Sequence, residues 1–255
     1  MENGWVLITG ASSGIGGELA RLFAADGHRL VLVARRELRL EALAASLPVE
    51  TRVLVQDLAD PQAAEHIEHF LHVQKIQLQT LVNNAGFGKL EGFAESGLET
   101  QREMMQVNVS TLVELTHRLL PDIIKQGGGG VLNVASLAAL QPGPNMAVYY
   151  ATKAFVLHFT EALHEELIDQ DVTISAFCPG PVATEFGEVA SAAVTPLFRF
   201  GTMSCERASR IGYRGYCKGR AVIIPGFLAK LSAFLVRVTP RSWTRKIVKR
   251  LQLPD

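Results

Sequence analysis

The chain has 255 residues, of which 48% are hydrophobic and 20% charged, a composition that is typical of a soluble globular protein. The formal net charge is zero, so the total charge gives no indication of a nucleic-acid partner. The charge is uneven along the chain, because residues 207–255 hold 12 basic residues and one acidic residue.

Targeting and redox features point to one compartment. No segment reaches the ~20 apolar residues that a membrane-spanning helix needs. The start of the chain also lacks the basic and apolar regions of a signal peptide. The three cysteines have no metal-type spacing, which favours a reducing compartment without a disulfide framework. We therefore expect a cytoplasmic protein.

The first elements predict the opening half of a dinucleotide-binding unit. Residues 5–9 form a continuous apolar run, which predicts a strand that is buried on both faces. A glycine-rich turn follows, and residues 18–23 then have helical periodicity. Such glycines let the backbone approach a pyrophosphate, and a helix N-terminus offers free N–H groups. The less favoured interpretation is a tight strand–helix turn without a ligand. The candidate contacts are Gly10, Ser12, Ser13, Gly14, Ile15 and Gly16.

The second predicted strand, residues 29–34, indicates which dinucleotide is bound. An NAD-binding unit usually has an acidic residue at the end of this strand, where it binds the ribose 2′-OH. Here Ala34 is neutral, and Arg35 and Arg36 follow it. Guanidinium groups suit a phosphate, so the pattern favours NADP(H) over NAD(H). The alternative is a pair of solvated arginines at the start of a helix.

The rest of the chain continues the alternation of helices and strands. Helices are predicted at residues 38–47, 61–72, 98–120 and about 149–169, and strands at 52–56, 80–83, 130–135, 172–178 and 221–224. Pro121 is expected to end the long third helix. Alternation of this kind requires right-handed crossovers and a mostly parallel sheet. We predict an α/β, Rossmann-like, doubly wound fold in one domain (residues 1–255), with a mostly seven-stranded parallel sheet and helices on both faces.

Tyr149 and Lys153 form a candidate acid–base pair. On a helix they are one turn apart and share a face, whereas Tyr150 points elsewhere. A phenol has a pKa near ~10, and an ammonium nearby favours the phenolate. Pairs at this spacing also occur by chance on surface helices. Asparagine is an indifferent helix former, so Asn108 within the long helix indicates a side-chain role or an exposed polar residue.

The motifs together resemble the short-chain dehydrogenase/reductase family in its compact single-domain form. The resemblance covers about the first three-quarters of the chain. It is carried by the following residues: Thr9 to Gly16, Asp57, Asn83 to Gly86, Asn108, Ser136, Tyr149 with Lys153, and Pro179 and Gly180 with Thr184. One departure is Ala135, where many members have a second serine.

The resemblance implies a role for each matching residue. Tyr149 would be the catalytic acid or base, and Lys153 would lower its pKa and hold the nicotinamide ribose. Ser136 would bind the substrate oxygen, and Asn108 would hold a water in a proton relay. The implied cofactor contacts are Asp57 at the adenine amine, Asn84 along the cofactor channel, Val182 and Thr184 at the carboxamide, and also Leu58, Ala85, Gly86, Pro179 and Gly180.

The family resemblance also implies an activity and an assembly. We expect an NADP(H)-dependent oxidoreductase that interconverts a carbonyl and a secondary alcohol, as a homodimer or homotetramer. The alternative is a catalytically silent NADP(H)-binding sensor or scaffold. A sugar epimerase or dehydratase is less favoured, because it normally needs a longer chain. No metal is expected.

The last quarter of the chain leaves two questions open. Residues 185–218 correspond to the family's substrate lid, and its apolar members indicate a hydrophobic substrate or, equally, ordinary core packing. These members are Phe186, Val189, Val194, Leu197, Phe198, Phe200 and Tyr213. Residues 226–255 form basic amphipathic helical stripes. We favour packing of this segment on its own domain or on a second subunit over contact with an anionic membrane.

Overall fold

The computed structural model of the protein describes residues 4–191 and 202–252. The strands are β1 Trp5–Thr9, β2 Arg29–Ala34, β3 Thr51–Val55, β4 Leu78–Asn83, β5 Gly129–Val134, β6 Val172–Phe177, β7 Val182–Ala183, β8 Met203–Ser204 and β9 Val222–Ile223. The main sheet has seven parallel strands in the order β3-β2-β1-β4-β5-β6-β9. A second, two-stranded parallel sheet pairs β7 with β8. The predicted parallel sheet is confirmed.

Helices cover both faces of this sheet. They are α1 Gly14–Ala25, α2 Glu37–Ser46, α3 Ala63–Val73, α4 Leu98–Met105, α5 Thr111–Gln126, α6 Ala147–Glu166, α7 Phe186–Val189, α8 Cys205–Tyr216, α9 Phe227–Val238 and α10 Arg241–Gln252. A π-helical turn, Gln106–Ser110, joins α4 to α5, and a 3-10 helix, Leu137–Leu140, follows β5. Among the described residues, no helix combines the length and the apolar character required to cross a bilayer.

Strand β1 shows why the sheet is buried on both faces. Its side chains alternate, so Val6 and Ile8 join one core cluster while Leu7 joins the other. The first cluster includes Phe23 of α1, and the second includes Leu115 of α5. Because β1 pairs with both β2 and β4, the strand order reverses beside it. Ligands of open parallel sheets bind at such a point, beyond the carboxyl ends of the strands.

A buried hydrogen-bonded chain connects the central strands to the helices behind them. The side-chain amide of Asn83 on β4 donates to Thr116 Oγ1 at 3.0 Å and to Asn133 Oδ1 at 2.9 Å. Asn133 on β5 donates in turn to Thr160 Oγ1 at 2.9 Å. All four side chains are buried. Because Thr160 lies on α6, these bonds fix the position of that helix along β5.

The long helix that the sequence predicts at residues 98–120 differs from its prediction. Pro121 does not end it, since Pro121 lies inside α5 and the helix continues to Gln126. The missing N–H of proline removes one bond on the exposed side of the helix. Leu119 and Ile123, on either side of it, are buried against the sheet and hold the helical path. Tertiary packing therefore overrides the local signal.

Candidate active site

The carboxyl ends of the strands border a cavity of about 790 Å³. Every predicted cofactor contact except Gly16 lines this cavity, as does every predicted catalytic residue except Asn108. The fold therefore brings together residues that the sequence separates by up to about 170 positions, from the glycine-rich turn to Thr184. The cavity has a polar end near that turn and an apolar end near α9 and α10.

The glycine-rich turn forms a cradle at the polar end. Gly10 has φ +66°, and a side chain there would meet the Asn84 amide nitrogen at 2.8 Å. Asn84 donates to the Thr9 carbonyl at 2.8 Å, which ties the turn to β4. Ser13 precedes the first residue of α1, yet its side chain caps no helix N–H. The free N–H groups at this helix start suit a phosphate group, so these residues fit a dinucleotide.

Arginines lie over the rim of this cradle. Arg36 donates to the hydroxyls of Ser12, at 3.2 Å, and Ser13, at 2.7 Å, and forms an ion pair with Glu185 at 2.8 Å. Arg39 binds the same carboxylate. The Arg39 and Arg36 guanidiniums together hold the pKa of the Glu185 carboxyl at about 2, well below its usual range.

The other predicted arginine is less constrained. The Arg35 side chain is 74% exposed, and its guanidinium lies 3.8 Å from the Asp57 carboxylate at the end of β3. Asp57 also accepts a hydrogen bond from the Ala59 backbone N–H at 3.0 Å. Sequence reasoning did not identify Arg39 and Glu185. The position of Arg39, one helical turn after the predicted arginines, was an available signal, whereas nothing local indicates Glu185.

Tyr149 and Lys153 lie on one face of α6, and both are buried, at 8% and 4% exposure. The Lys153 ammonium donates to the Val134 carbonyl at 2.8 Å and lies 6.0 Å from the centre of the Tyr149 ring. Burial lowers the pKa of Lys153 to about 8. Burial also raises the pKa of Tyr149 to about 12, although a hydrogen bond from Ser136 acts in the opposite direction.

These pKa values correct one expectation. Lys153 was expected to lower the pKa of Tyr149, but among the protein's own groups desolvation of the phenol has the larger effect. The ammonium donates its hydrogen bond to the Val134 carbonyl at the end of β5.

Ser136 lines the cavity, whereas Asn108 lies behind its wall. Ser136 follows β5, lines the cavity, and accepts a hydrogen bond from the Ala138 N–H at 3.1 Å. Asn108 is buried in the π-helical turn behind the cavity wall, where it exchanges hydrogen bonds with the Phe87 backbone at 2.9 and 3.1 Å and donates to Thr152 at 3.1 Å. The Asn108 side chain therefore holds the wall of the cavity and does not form its surface.

The apolar end of the cavity contains residues that the sequence did not indicate. Tyr150 was expected to point away, yet it lines the cavity beside Tyr149. The Gln252 amide donates to the Tyr150 hydroxyl at 2.6 Å, and its own carbonyl oxygen is buried with no hydrogen-bond partner among the described residues. Phe186 packs on the Tyr149 ring with 5.3 Å between ring centres. No periodic signal marks Gln252, because its role depends on how α10 returns to the catalytic helix.

The lid residues fall into several groups. Phe186 lies at the cavity, as expected of a lid. Tyr213 is a core residue: its ring packs edge-on against Phe23 at 4.8 Å, and its hydroxyl donates to the Asp26 carboxylate at 2.5 Å. The alternative of core packing is therefore confirmed for Tyr213. Four members lie outside the described residues, namely Val194, Leu197, Phe198 and Phe200, and the side chain of Val189 is not described.

Comparisons with known proteins agree with this geometry. A family model described as short chain dehydrogenase matches residues 4–194. Sulfoacetaldehyde reductase 2 of Chromohalobacter salexigens is 40% identical over 185 residues, which cover 71% of this chain and 73% of that protein. Serine 3-dehydrogenase of Agrobacterium fabrum is 37% identical over 185 residues, covering 72% and 74%. A solved structure of a short-chain dehydrogenase from Sphingobium yanoikuyae in complex with NADPH has a TM-score of 0.81 and 32% identity, over 91% of this chain and 92% of that one.

Proposed function

Because the chain belongs to the short-chain dehydrogenase/reductase family, we propose that it reduces the carbonyl group of a hydrophobic small molecule to a secondary alcohol, reversibly, with NADP(H) as cofactor. Membership of the family makes it an NAD(P)-dependent oxidoreductase. One observation carries the finer proposal: Ser136, Tyr149 and Lys153 all line the cavity that begins at the phosphate cradle and ends in an apolar pocket.

Each end of the cavity has a distinct task in this proposal. The turn Gly10–Ile15 and the start of α1 would hold the pyrophosphate, Asp57 would meet the adenine, and Asn84 lines the cofactor channel. A bound nicotinamide supplies or accepts the hydride. The apolar end, with Phe186 among its walls, excludes water and holds the substrate beside the Tyr149 hydroxyl.

The catalytic side chains act on the substrate oxygen. The hydroxyls of Ser136 and Tyr149 donate hydrogen bonds to the carbonyl oxygen and polarise it. As negative charge develops on that oxygen, Tyr149 donates its proton. A pKa of about 12 keeps the phenol protonated at neutral pH, and a developing alkoxide is a stronger base than a phenolate. The burial of Tyr149 therefore keeps the phenol in the protonated form, from which it can act as an acid.

Lys153 supports this step electrostatically. Its ammonium stabilises the tyrosinate that remains after proton transfer, since it is held in a low-dielectric wall at the end of β5. In the family this lysine also holds the nicotinamide ribose. Asn108 fixes the Phe87 backbone and Thr152, and Thr152 in turn donates to the Tyr149 carbonyl at 2.7 Å. Asn108 thus positions the catalytic helix from behind the wall.

The preference for NADP(H) rests on Arg35 and Arg36. Both line the rim of the cradle, and no carboxylate stands at the end of β2, where Ala34 is found. NADPH should therefore bind more tightly than NADH, and the gap should shrink in Arg35→Ala. Arg118→Ala is a matched control, because Arg118 is an exposed arginine paired with Glu68 at a distance from the cavity. Tighter binding of NADH than NADPH by the parent protein would refute this reading.

The test of the whole proposal is NADPH oxidation with ketones and aldehydes graded by size and polarity. We expect turnover that increases with apolar character, is abolished in Tyr149→Phe, and persists in the control Tyr213→Phe. NADPH binding, followed by fluorescence, should be nearly unchanged in both variants. Undiminished turnover in Tyr149→Phe would contradict the mechanism, and NADPH binding without turnover of any substrate would favour the silent sensor or scaffold. The assembly is proposed to be a homodimer or homotetramer, which light scattering tests.

A further inference from the structure

The two C-terminal helices present a large apolar face to the outside. On α9, Ala233 is the buried residue among those described, at 8% exposure. Most of the large apolar side chains of α9 are exposed. The exposed apolar residues are Phe227 (78%), Leu228 (77%), Leu231 (41%), Phe234 (61%), Leu235 (48%) and Val238 (62%) on α9, and Trp243 (65%), Ile247 (51%) and Leu251 (40%) on α10. A patch of this kind on a folded protein marks an interaction surface.

The two helices that carry this outer face, defined as the exposed apolar residues just given, also carry basic side chains. Residues 227–252 contain no acidic residue, and none of their basic residues forms an ion pair with a carboxylate of the described chain. All of the basic residues are exposed. They are Lys230, Arg237, Arg241, Arg245, Lys246, Lys249 and Arg250. The remainder of the chain has an acidic excess, so this segment carries a separate, localised positive charge.

Helix α10 has three distinct faces. Thr244, Val248 and Gln252 repeat every fourth residue and are buried on the domain, which fixes the helix there. Trp243 and Ile247 lie on the neighbouring stripe and are exposed, while the basic residues occupy the remaining side. The helix is therefore attached by one face and leaves an apolar stripe and a basic stripe free. An amphipathic helix that rests on a membrane has the same division.

The outer face borders the mouth of the cavity. Leu235, Ile247 and Leu251 belong to both: each lines the cavity, and each is at least 40% exposed. The outer face and the cavity therefore share these three apolar side chains, along which an apolar molecule could pass into the site. The family match ends at residue 194, so family membership assigns this segment no role.

The segment packs on its own domain through one face of α10, as the sequence favoured, but its outer face is left free. We propose that this outer face docks on an anionic phospholipid membrane, with the apolar side chains in the interfacial layer and the basic side chains at the lipid phosphates. Charge complementarity selects this occupant. A symmetric contact with a second copy would bring two identical basic segments together, and their repulsion opposes such a pairing. An anionic lipid surface satisfies the charges and the apolar side chains at once. Lipid-soluble carbonyl compounds then become the substrate class, a corollary that rests on the proposed function.

The test is co-sedimentation with vesicles, and it requires no enzymatic activity. We expect binding to phosphatidylcholine–phosphatidylserine vesicles at low salt, with weak binding to pure phosphatidylcholine. Lys246→Gln with Lys249→Gln should lower the partition coefficient by roughly thirty-fold, at the affinity expected per basic residue. Phe227→Ser with Phe234→Ser should lower it by roughly tenfold or more. Phe93→Ser with Leu98→Ser is the matched control, because these residues are exposed to a similar degree elsewhere and should leave binding unchanged.

Two results would overturn the proposal. One is the absence of binding to the anionic vesicles at low salt, and the other is unchanged binding after the Phe227→Ser and Phe234→Ser substitutions. Suppose that the protein does not bind vesicles and that light scattering shows these substitutions to dissociate a dimer. The outer face would then be a subunit interface instead. Because ketone turnover is measured separately, failure of vesicle binding and failure of the proposed function are distinguishable.

Discussion

The buried ammonium of Lys153 should cost the protein stability near neutral pH, and Lys153→Met should reveal that cost. Burial lowers the pKa of Lys153 from 10.5 to about 8, which corresponds to about 3 kcal/mol at ~1.4 kcal/mol per pH unit. The substitution also removes the hydrogen bond to the Val134 carbonyl, worth about 2 kcal/mol for a charged donor. We therefore expect Lys153→Met to be more stable than the parent by about 1 kcal/mol at about pH 7.

The pH dependence gives the sharper measurement. Between about pH 8 and 10.5 the unfolded chain binds a proton at Lys153 that the folded protein does not, so the parent's free energy of unfolding rises with pH in that window. The variant lacks this contribution. Its advantage should therefore fall by about 2 kcal/mol between about pH 7 and pH 9.5 and change sign. Urea unfolding of both proteins at both pH values measures this, because all other titrations cancel in the difference.

The control is Lys230→Met, which removes an exposed lysine instead of a buried one and is measured by the same unfolding experiment at both pH values. If Lys153→Met were less stable than the parent by the same amount at both pH values, the ammonium would not be desolvated in the folded protein. The account of Lys153 as a destabilising residue retained for its charge would then fail.

Three further predictions concern stability and cofactor affinity. Gly130→Ala should lower the free energy of unfolding, measured with urea, by about 3 kcal/mol or more, because the new side chain would lie 1.8 Å from a backbone oxygen of β6. The control Gly219→Ala has open space around the new side chain and should lower it by only about 1 kcal/mol. Tyr213→Phe should lose about 2 kcal/mol with the bond to Asp26, without loss of turnover. Glu185→Gln should strengthen NADPH binding several-fold, by titration, and leave NADH binding unchanged, since the carboxylate competes with phosphate for the rim arginines.

The sequence predicted the seven-stranded sheet well, because most of its strands are short runs rich in apolar residues and bounded by turn residues. It did not predict the short strands β7 and β8. A parallel sheet buried on both faces leaves little other choice of topology. The misjudged helix end at Pro121 shows the limit of local rules. The sheet-facing residues around that proline hold the helix together, and their contribution depends on the sheet that the helix packs against.

The site was partly predictable for a related reason. Spacing within one element is visible in the sequence, so the glycine-rich turn and the pair Tyr149 and Lys153 could be identified. Contacts between distant segments are not visible, and Glu185 and Gln252 were missed for that reason. The direction of the Tyr149 pKa shift was mistaken because burial, its main cause, is a property of the folded chain.

The amide and hydroxyl chain from Asn83 through Asn133 to Thr160 has a consequence for redesign. Apolar surfaces can slip past each other at little cost, but a shift of α6 by even one residue would break a directional bond and strand a polar group. These hydrogen bonds thus fix the position of Tyr149 relative to the sheet, and none of them involves the substrate. To change the range of substrates, substitutions should be made in the cavity walls that α7, α9 and α10 form. The buried hydrogen-bonded chain should be left unchanged.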